Sequence, residues 1–392
     1  MTSDDDGRRD LLRRRFGEWL RDGRLELGLS QRQLGEESRS YPWPFDATWI
    51  SHWERSGPRE GFVKGLAYLD MLDADFELLL DLLRAPIEMP RPDADFDPAR
   101  VDAAVRRLVL EGRLAEGLGL SLRALEDAER SALENAEPRL LLLVGIVAKR
   151  SELYGLAKWA ATRAIPLAQR EAGGELLAAR AAVLAATVST WQGYPYDALR
   201  LLDTVAHGLR EEDADLDAVV CHARGFAQLE IGQYAEAGFE YRRALDRYPR
   251  PRAETLRPVL MCCLALARAS AGFRSEALRI LESVLESPAP EPRPYLDASL
   301  RQVAGRVLLA CGRPREAVRQ LVAAEKVWRD EGLNLRLLET RLLLMMAARQ
   351  SHQHAIAELM QRSLRNPAQR RRIPERLQRL RLQIDAAGGS TS

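Results

Sequence analysis

The sequence predicts an all-α chain, and three observations carry that prediction. The strong helix formers Ala, Leu, Arg and Glu are abundant. Runs that alternate β-branched with polar residues, the mark of a half-buried strand, are missing. Beyond residue 100, glycines recur at a nearly constant interval, which is the mark of stacked helix pairs.

Composition excludes several classes. Of 392 residues, Lys+Arg number 58 and Asp+Glu 57, so the net charge is +1 and the chain is not basic along its whole length. Lysine occurs only at Lys64, Lys149, Lys158 and Lys326, leaving 54 arginines, a bias expected of a GC-rich bacterial genome. No apolar run reaches the length of a membrane span. The opening MTSDDDGRRD lacks the basic start and apolar core of a signal peptide. Cys221, Cys262, Cys263 and Cys311 form no CxxC pair and are too few for a disulfide framework. Together these features predict a cytoplasmic protein with no membrane contact.

Residues 8–84 form a first unit. Leu12, Phe16, Trp19 and Leu20 share one face of a helix. In Arg24-Leu-Glu-Leu-Gly28-Leu-Ser30-Gln31-Arg-Gln-Leu34, Gly28 ends that helix, Ser30 caps the next, and Leu34 points inward. In Ala47-Thr48-Trp49-Ile50-Ser51-His52-Trp53-Glu-Arg55, Ile50 and Trp53 are three apart and face the core. Thr48, Trp49, Ser51, His52 and Arg55 then face outward. Leu66, Leu69, Leu72, Phe76 and Leu79–Leu83 close a five-helix unit. Residues 85–98, with Pro86, Pro90, Pro92 and Pro98, read as a linker, because each proline removes a donor and restricts its predecessor.

Residues 99–384 repeat. Gly112, Gly155, Gly193, Gly232, Gly272 and Gly312 are separated by 43, 38, 39, 40 and 40 residues. A small residue follows five positions after each of them: Gly117, Ala160, Ala198, Ala237, Ala277 and Ala317. Partners at +9 and +12, such as Tyr241 and Ala244, lie on one face of the second helix and fill the seam to the next pair. A seventh, degenerate copy centres on Ala355, giving six to seven helix pairs. The glycine ends each first helix and the small residue permits close approach.

The best copy, Gly225-Phe-Ala-Gln-Leu-Glu-Ile-Gly232-Gln-Tyr234-Ala-Glu-Ala237 with Tyr241, Ala244 and Pro249, resembles the tetratricopeptide repeat, though this period exceeds that family's 34 residues. The resemblance implies a right-handed α-solenoid whose concave face binds a peptide or protein segment. Residues 11–84, through GLSQRQL, WISHWERS and LAYLDMLDADFELLL, resemble the XRE, or lambda-repressor-like, helix-turn-helix family. That resemblance implies double-stranded DNA as a partner. Carried over by position, Ser30 and Gln31 are backbone contacts, Ala47, Thr48, Trp49, Ser51 and His52 lie at or near base edges, and Arg55 reaches a phosphate. The 16-residue separation of Leu34 and Ile50 exceeds the family's usual spacing; the insertion, Ser40-Tyr-Pro-Trp-Pro-Phe45, falls in the turn. Two basic segments, Arg8–Arg15 and Arg362–Arg381, offer either further phosphate contacts or solvated helix faces.

The two resemblances together are similar to the RRNPP-type regulators. They imply a cytoplasmic homodimer that binds DNA and senses a peptide or protein ligand in its repeat groove. Tyr154, Trp159, Trp191, Tyr194, Tyr196 and Tyr234 are candidate groove aromatics. Those sensors commonly hold the peptide backbone with Asn, yet only Asn135, Asn334 and Asn366 occur here; the plentiful Arg points to an acidic ligand. The alternative is a non-catalytic scaffold whose two parts both bind proteins. No catalytic, metal or cofactor motif is present: GxxxxGK[ST], GxSxG and HExxH are all missing, and His352-x-His354 stands beside no Cys or carboxylate cluster.

Overall fold

The structure is a computed structural model. It describes residues 17–18, 20–22, 24–25, 28–39, 45–56, 68, 98–111, 113–130, 136–207, 214–248, 252–286, 294–331, 333–363 and 374–389. Every regular element among them is helical, as the sequence predicts. The predicted closing helices (Leu66, Leu69 and 72–83), the stretch 85–97, the insertion residues 40–44 and Arg8–Arg15 lie outside the described residues. The chain divides into two compact units, Met1–Gly174 and Glu175–Ser392. The division falls within the repeats.

Unit 1 begins with helical residues at 17–18, 20–22 and 24–25, then α1 (Gln31–Ser38) and α2 (Ala47–Ser56). Gly28, at φ 66°, ends the first stretch: its amide bonds the Leu25 carbonyl and that of Leu29 bonds Arg24. Ser30 caps α1 reciprocally. Its Oγ accepts from the Gln33 amide at 3.1 Å, while its own amide donates to Gln33 Oε1 at 2.8 Å. Asp46 caps α2 by accepting from the Trp49 amide at 2.8 Å. Leu20, Leu34, Phe45, Ile50, Trp53 and Tyr68 are buried together as the core. The far end of the insertion is stitched to α1: Ser38 Oγ accepts from the Phe45 amide at 2.9 Å and lies 2.7 Å from its carbonyl. Helices α3 (Pro98–Leu110), α4 (Leu114–Arg130), α5 (Glu137–Arg150) and α6 (Tyr154–Gln169) complete the unit.

Unit 2 is a stack of helix pairs. They are α7 (Glu175–Gln192) with α8 (Pro195–His207), α9 (Ala214–Glu230) with α10 (Tyr234–Arg247), and α11 (Arg252–Ser270) with α12 (Arg274–Leu285). The pairs α13 (Pro294–Ala310) with α14 (Pro314–Asp330) and α15 (Asn334–Gln350) with α16 (His354–Ser363) follow. A last helix, α17 (Glu375–Gly389), packs on α7 and α15.

The turns explain the period. Left-handed φ occurs at Glu152, Gly193, Gly232, Gly272, Gly312 and His352, each between the two helices of a pair. The reading of Gly155 as a turn glycine is therefore corrected: Gly155 is the second residue of α6, and Glu152 takes the left-handed position. The partner five residues on is then Ala157, not Ala160, and with it the period becomes even. The seventh copy is real but turns on His352, which puts Ala357 rather than Ala355 in that register. Ala157, Ala198, Ala237, Ala277 and Ala317 are fully buried. Where +5 permits approach, a small residue in the first helix faces +9. A Cβ on Gly225 would sit 3.1 Å from the Tyr241 ring, and one on Gly305 would sit 2.5 Å from Leu321 Cγ.

Gly305→Ala should lower unfolding stability by about 1–3 kcal/mol, because Leu321 is fully buried and must move. Urea unfolding measures this, and the double variant Gly305→Ala, Leu321→Val should recover part of the loss.

Candidate functional site

Two sites emerge, one in each unit. In unit 1 the question is what holds α2 and what it presents. Glu54, 6% exposed, sits on its inner face. Its carboxylate accepts from Arg24 Nε at 2.5 Å and Nη2 at 3.0 Å, from Gln31 at 2.7 Å and from the Tyr68 hydroxyl at 2.8 Å. Arg24 also donates to the Leu29 carbonyl at 2.6 Å. Burial alone would raise the Glu54 pKa, but the donors from Arg24, Gln31 and Tyr68 hold it below the usual carboxylate value. Burial and the neighbouring Glu54 charge push the Tyr68 hydroxyl well up, so it stays a donor. One carboxylate thus ties α1, α2 and the helical stretch before them.

The predicted contact residues separate into two sets. Thr48, His52 and Arg55 are exposed and spaced four and three apart, so they share one face of α2. Ala47 and Ser51 are half-buried beside them. Trp49 is half-buried too: its ring stacks on Trp53 at 4.4 Å and lies 5.0 Å from Phe45. Ser30 is exposed at the cap of α1. Gln31 is half-buried, its side-chain amide turned to Glu54.

In unit 2 the inner helices α7, α9, α13 and α15 carry large and charged residues toward α17. Arg376, the second residue of α17, is 7% exposed. Its Nε lies 2.8 Å from Glu230 Oε2, and its Nη2 donates to Glu339 Oε1 at 2.7 Å. Its guanidinium lies 4.6 Å from the Trp191 ring centre and 5.6 Å from that of Phe226. Arg336 stacks on Trp191 at 4.0 Å, and Arg306 stands 3.5 Å from Glu230 and 3.9 Å from Glu339. Burial would push the Glu339 carboxyl up; the charges of Arg376, Arg306 and Arg336 overcome this and hold it at about 2. Arg379 donates to the Gly193 carbonyl. A Cβ on Gly193 would lie 2.8 Å from the Arg376 amide, so that turn must be glycine for α17 to approach. A cavity of about 190 Å³ beside this cluster is lined by Glu230, Tyr234, Arg306, Glu339, Arg376 and Gln383 among others.

Of the predicted groove aromatics, Trp191 belongs to this cluster and Tyr234 lines the cavity. Tyr194 and Tyr196 are exposed at the start of α8, outside the lining. Tyr154 is buried in unit 1 at the head of α6. Arg376 differs from both readings of the basic segment: it faces neither solvent nor an open phosphate site. Sequence reasoning passed over Glu54, Glu230, Glu339 and Arg24; only the low expected burial of charged residues makes them notable, and that appears only with coordinates. Among the described residues no group of three or more His, Cys, Asp or Glu could hold a metal, and no helix is long and apolar enough to cross a membrane.

No protein-family model matches the chain, and no curated protein matches it. Among solved structures it is similar to the crystal structure of Bacillus thuringiensis PlcR in complex with the peptide PapR7 and DNA. The identity is 12%, over 88% of this chain and 99% of that one, with a TM-score of 0.35. It is also similar to the TPR domain of P58(IPK), at 14% identity over 93% of this chain and 99% of that one, with a TM-score of 0.23. At these scores neither likeness bears on what the chain does.

Removing one partner from the Glu54 cluster should be far worse than removing both charges. Arg24→Met is expected to cost about 3–5 kcal/mol, and Arg24→Met with Glu54→Leu distinctly less. Thermal unfolding of the two variants side by side checks the order; equal losses would contradict it.

Proposed function

We propose that this chain is a cytoplasmic bacterial transcription regulator. It binds double-stranded DNA as a homodimer through α2 and takes a peptide or protein ligand in the groove of unit 2. The observation that carries the reading is the exposed row Thr48, His52 and Arg55 on α2. That helix is held by a buried carboxylate and followed in sequence by helix pairs. A rigid recognition helix with polar, exposed side chains is what major-groove reading requires. Arg55 suits a phosphate, and Thr48 and His52 suit base edges.

The groove of unit 2 supports the second half of the proposal. It brings two carboxylates, several arginines and aromatic rings to one inner surface, groups that can meet the charged and flat parts of a peptide. Coupling the two functions requires only that the ligand favour one arrangement of the chain over another.

One observation favours the scaffold alternative: on the exposed face of α2, Arg55 is the sole cation. Salt dependence separates the two readings. Fluorescence anisotropy with DNA from upstream of the protein's own gene, against scrambled DNA, should show selective binding that weakens steeply with salt. The double variant His52→Ala, Arg55→Ala should lose the selectivity and reduce the salt slope by about one contact. Binding no better than to scrambled DNA, and unchanged in the variant, would overturn the DNA-reading role of α2 and leave the scaffold.

A further inference from the structure

The occupant of the unit 2 groove is part of the chain itself. From the way α17 occupies it, we infer that the cluster of Glu230, Glu339, Trp191 and Phe226 is a guanidinium-recognition site for an arginine-bearing peptide segment, which α17 fills as an internal stand-in through Arg376. This deepens the peptide-groove reading and rests on it.

Three features of the cluster point to a guanidinium. It offers two carboxylates on different helices, α9 and α15, with oxygens at 2.8 Å and 2.7 Å from two different nitrogens of Arg376. A planar fork reaches both at once, hydrogen-bonding Glu339 and ion-pairing with Glu230, whereas an ammonium presents a single point of charge. Trp191 and Phe226 supply ring faces for the flat cation. The turn at Gly193 is bare of a side chain where the backbone of the occupant comes closest.

Two features favour exchange of the stand-in. Among its described side chains few anchor it: Leu377 and Ile384 are buried and Leu380 half-buried, while Leu382 is 68% exposed. The fit is also incomplete. Neither Nε nor Nη1 of Arg376 makes a hydrogen bond among the described residues, although Nε lies 2.8 Å from Glu230 Oε2, and the cavity beside them is bounded by α17 itself. Unmade bonds on buried charged groups are costly, so a segment that makes them binds in preference. The ligand class is thus the reverse of the acidic one suggested by the abundance of Arg. The arginines Arg306 and Arg336 are already committed, to the two carboxylates and to Trp191.

The test uses the full chain and a fluorescein-labelled peptide, PERLQRLRLQI, copied from residues 374–384. In fluorescence polarisation the Arg376→Ala chain, whose own arginine is gone, should bind this peptide about tenfold or more tighter than the wild type. The same peptide with Ala in place of the arginine corresponding to Arg376 should bind at least about tenfold more weakly, as should the original peptide to a Glu230→Gln, Glu339→Gln chain. Equal binding by wild type and Arg376→Ala, or by the two peptides, would overturn the inference. Hydrogen exchange on the wild type keeps the test decisive should a variant not fold. Excess unlabelled peptide should raise exchange across residues 374–384, and the Ala peptide should not; no rise with either overturns it. Neither readout contains DNA. Loss of peptide binding with DNA binding intact refutes this inference alone, and the reverse refutes the DNA reading alone.

Discussion

Close approach between the two helices of each pair is the constraint on which unit 2 depends. Each pair turns through one residue in the left-handed region, and the fifth residue after most of those turns is an alanine with no exposed surface. Small residues there, and glycines such as Gly225 and Gly305 opposite the +9 positions, let the backbones nest. The seam is consequently filled by residues that carry no chemistry. The larger and charged side chains of the inner helices are left to form a second surface. Trp191, Phe226, Glu230, Arg306 and Glu339 all belong to it.

A charge buried on such a surface must be matched, because desolvation outweighs any single contact. Both units meet this condition in the same manner, with arginine against glutamate and an aromatic group alongside. In unit 1 Arg24, Glu54 and Tyr68 form a closed set whose donors and acceptor are engaged, and its effect is to hold α2 still. In unit 2 the set is open on one side, toward a cavity, and one of its members arrives on a separate helix.

Much of the fold was legible in the sequence because it rests on local rules. Gly28, Ser30, Ile50 and Trp53 behave as capping and periodicity demand, and four repeat glycines sit at the left-handed turns. The second repeat was misregistered because Glu152 occupies a position that glycine usually takes, so the search for glycine settled on Gly155. The groove was harder to read. Arg376 looks like one of many arginines in a basic stretch, and Glu230 and Glu339 like ordinary helix-surface residues. Arg376 pairs with Glu339, 37 residues before it, and with Glu230, more than a hundred residues before it, and no periodicity encodes either pairing. The aromatics gave partial guidance: Trp191 and Tyr234 reach the groove, whereas Tyr154 has the same chemistry and lies in a core.

The central claim is that the unit 2 groove recognises the shape of a guanidinium and not merely its charge. Thermal unfolding of Arg376→Lys beside Arg376→Met and the wild type tests it most directly. Lysine keeps the charge but cannot bridge Glu230 and Glu339 as a planar fork or lie flat on Trp191. The account predicts that Arg376→Lys loses most of the stability that Arg376→Met loses. An Arg376→Lys chain as stable as the wild type would contradict it, for then any cation would serve.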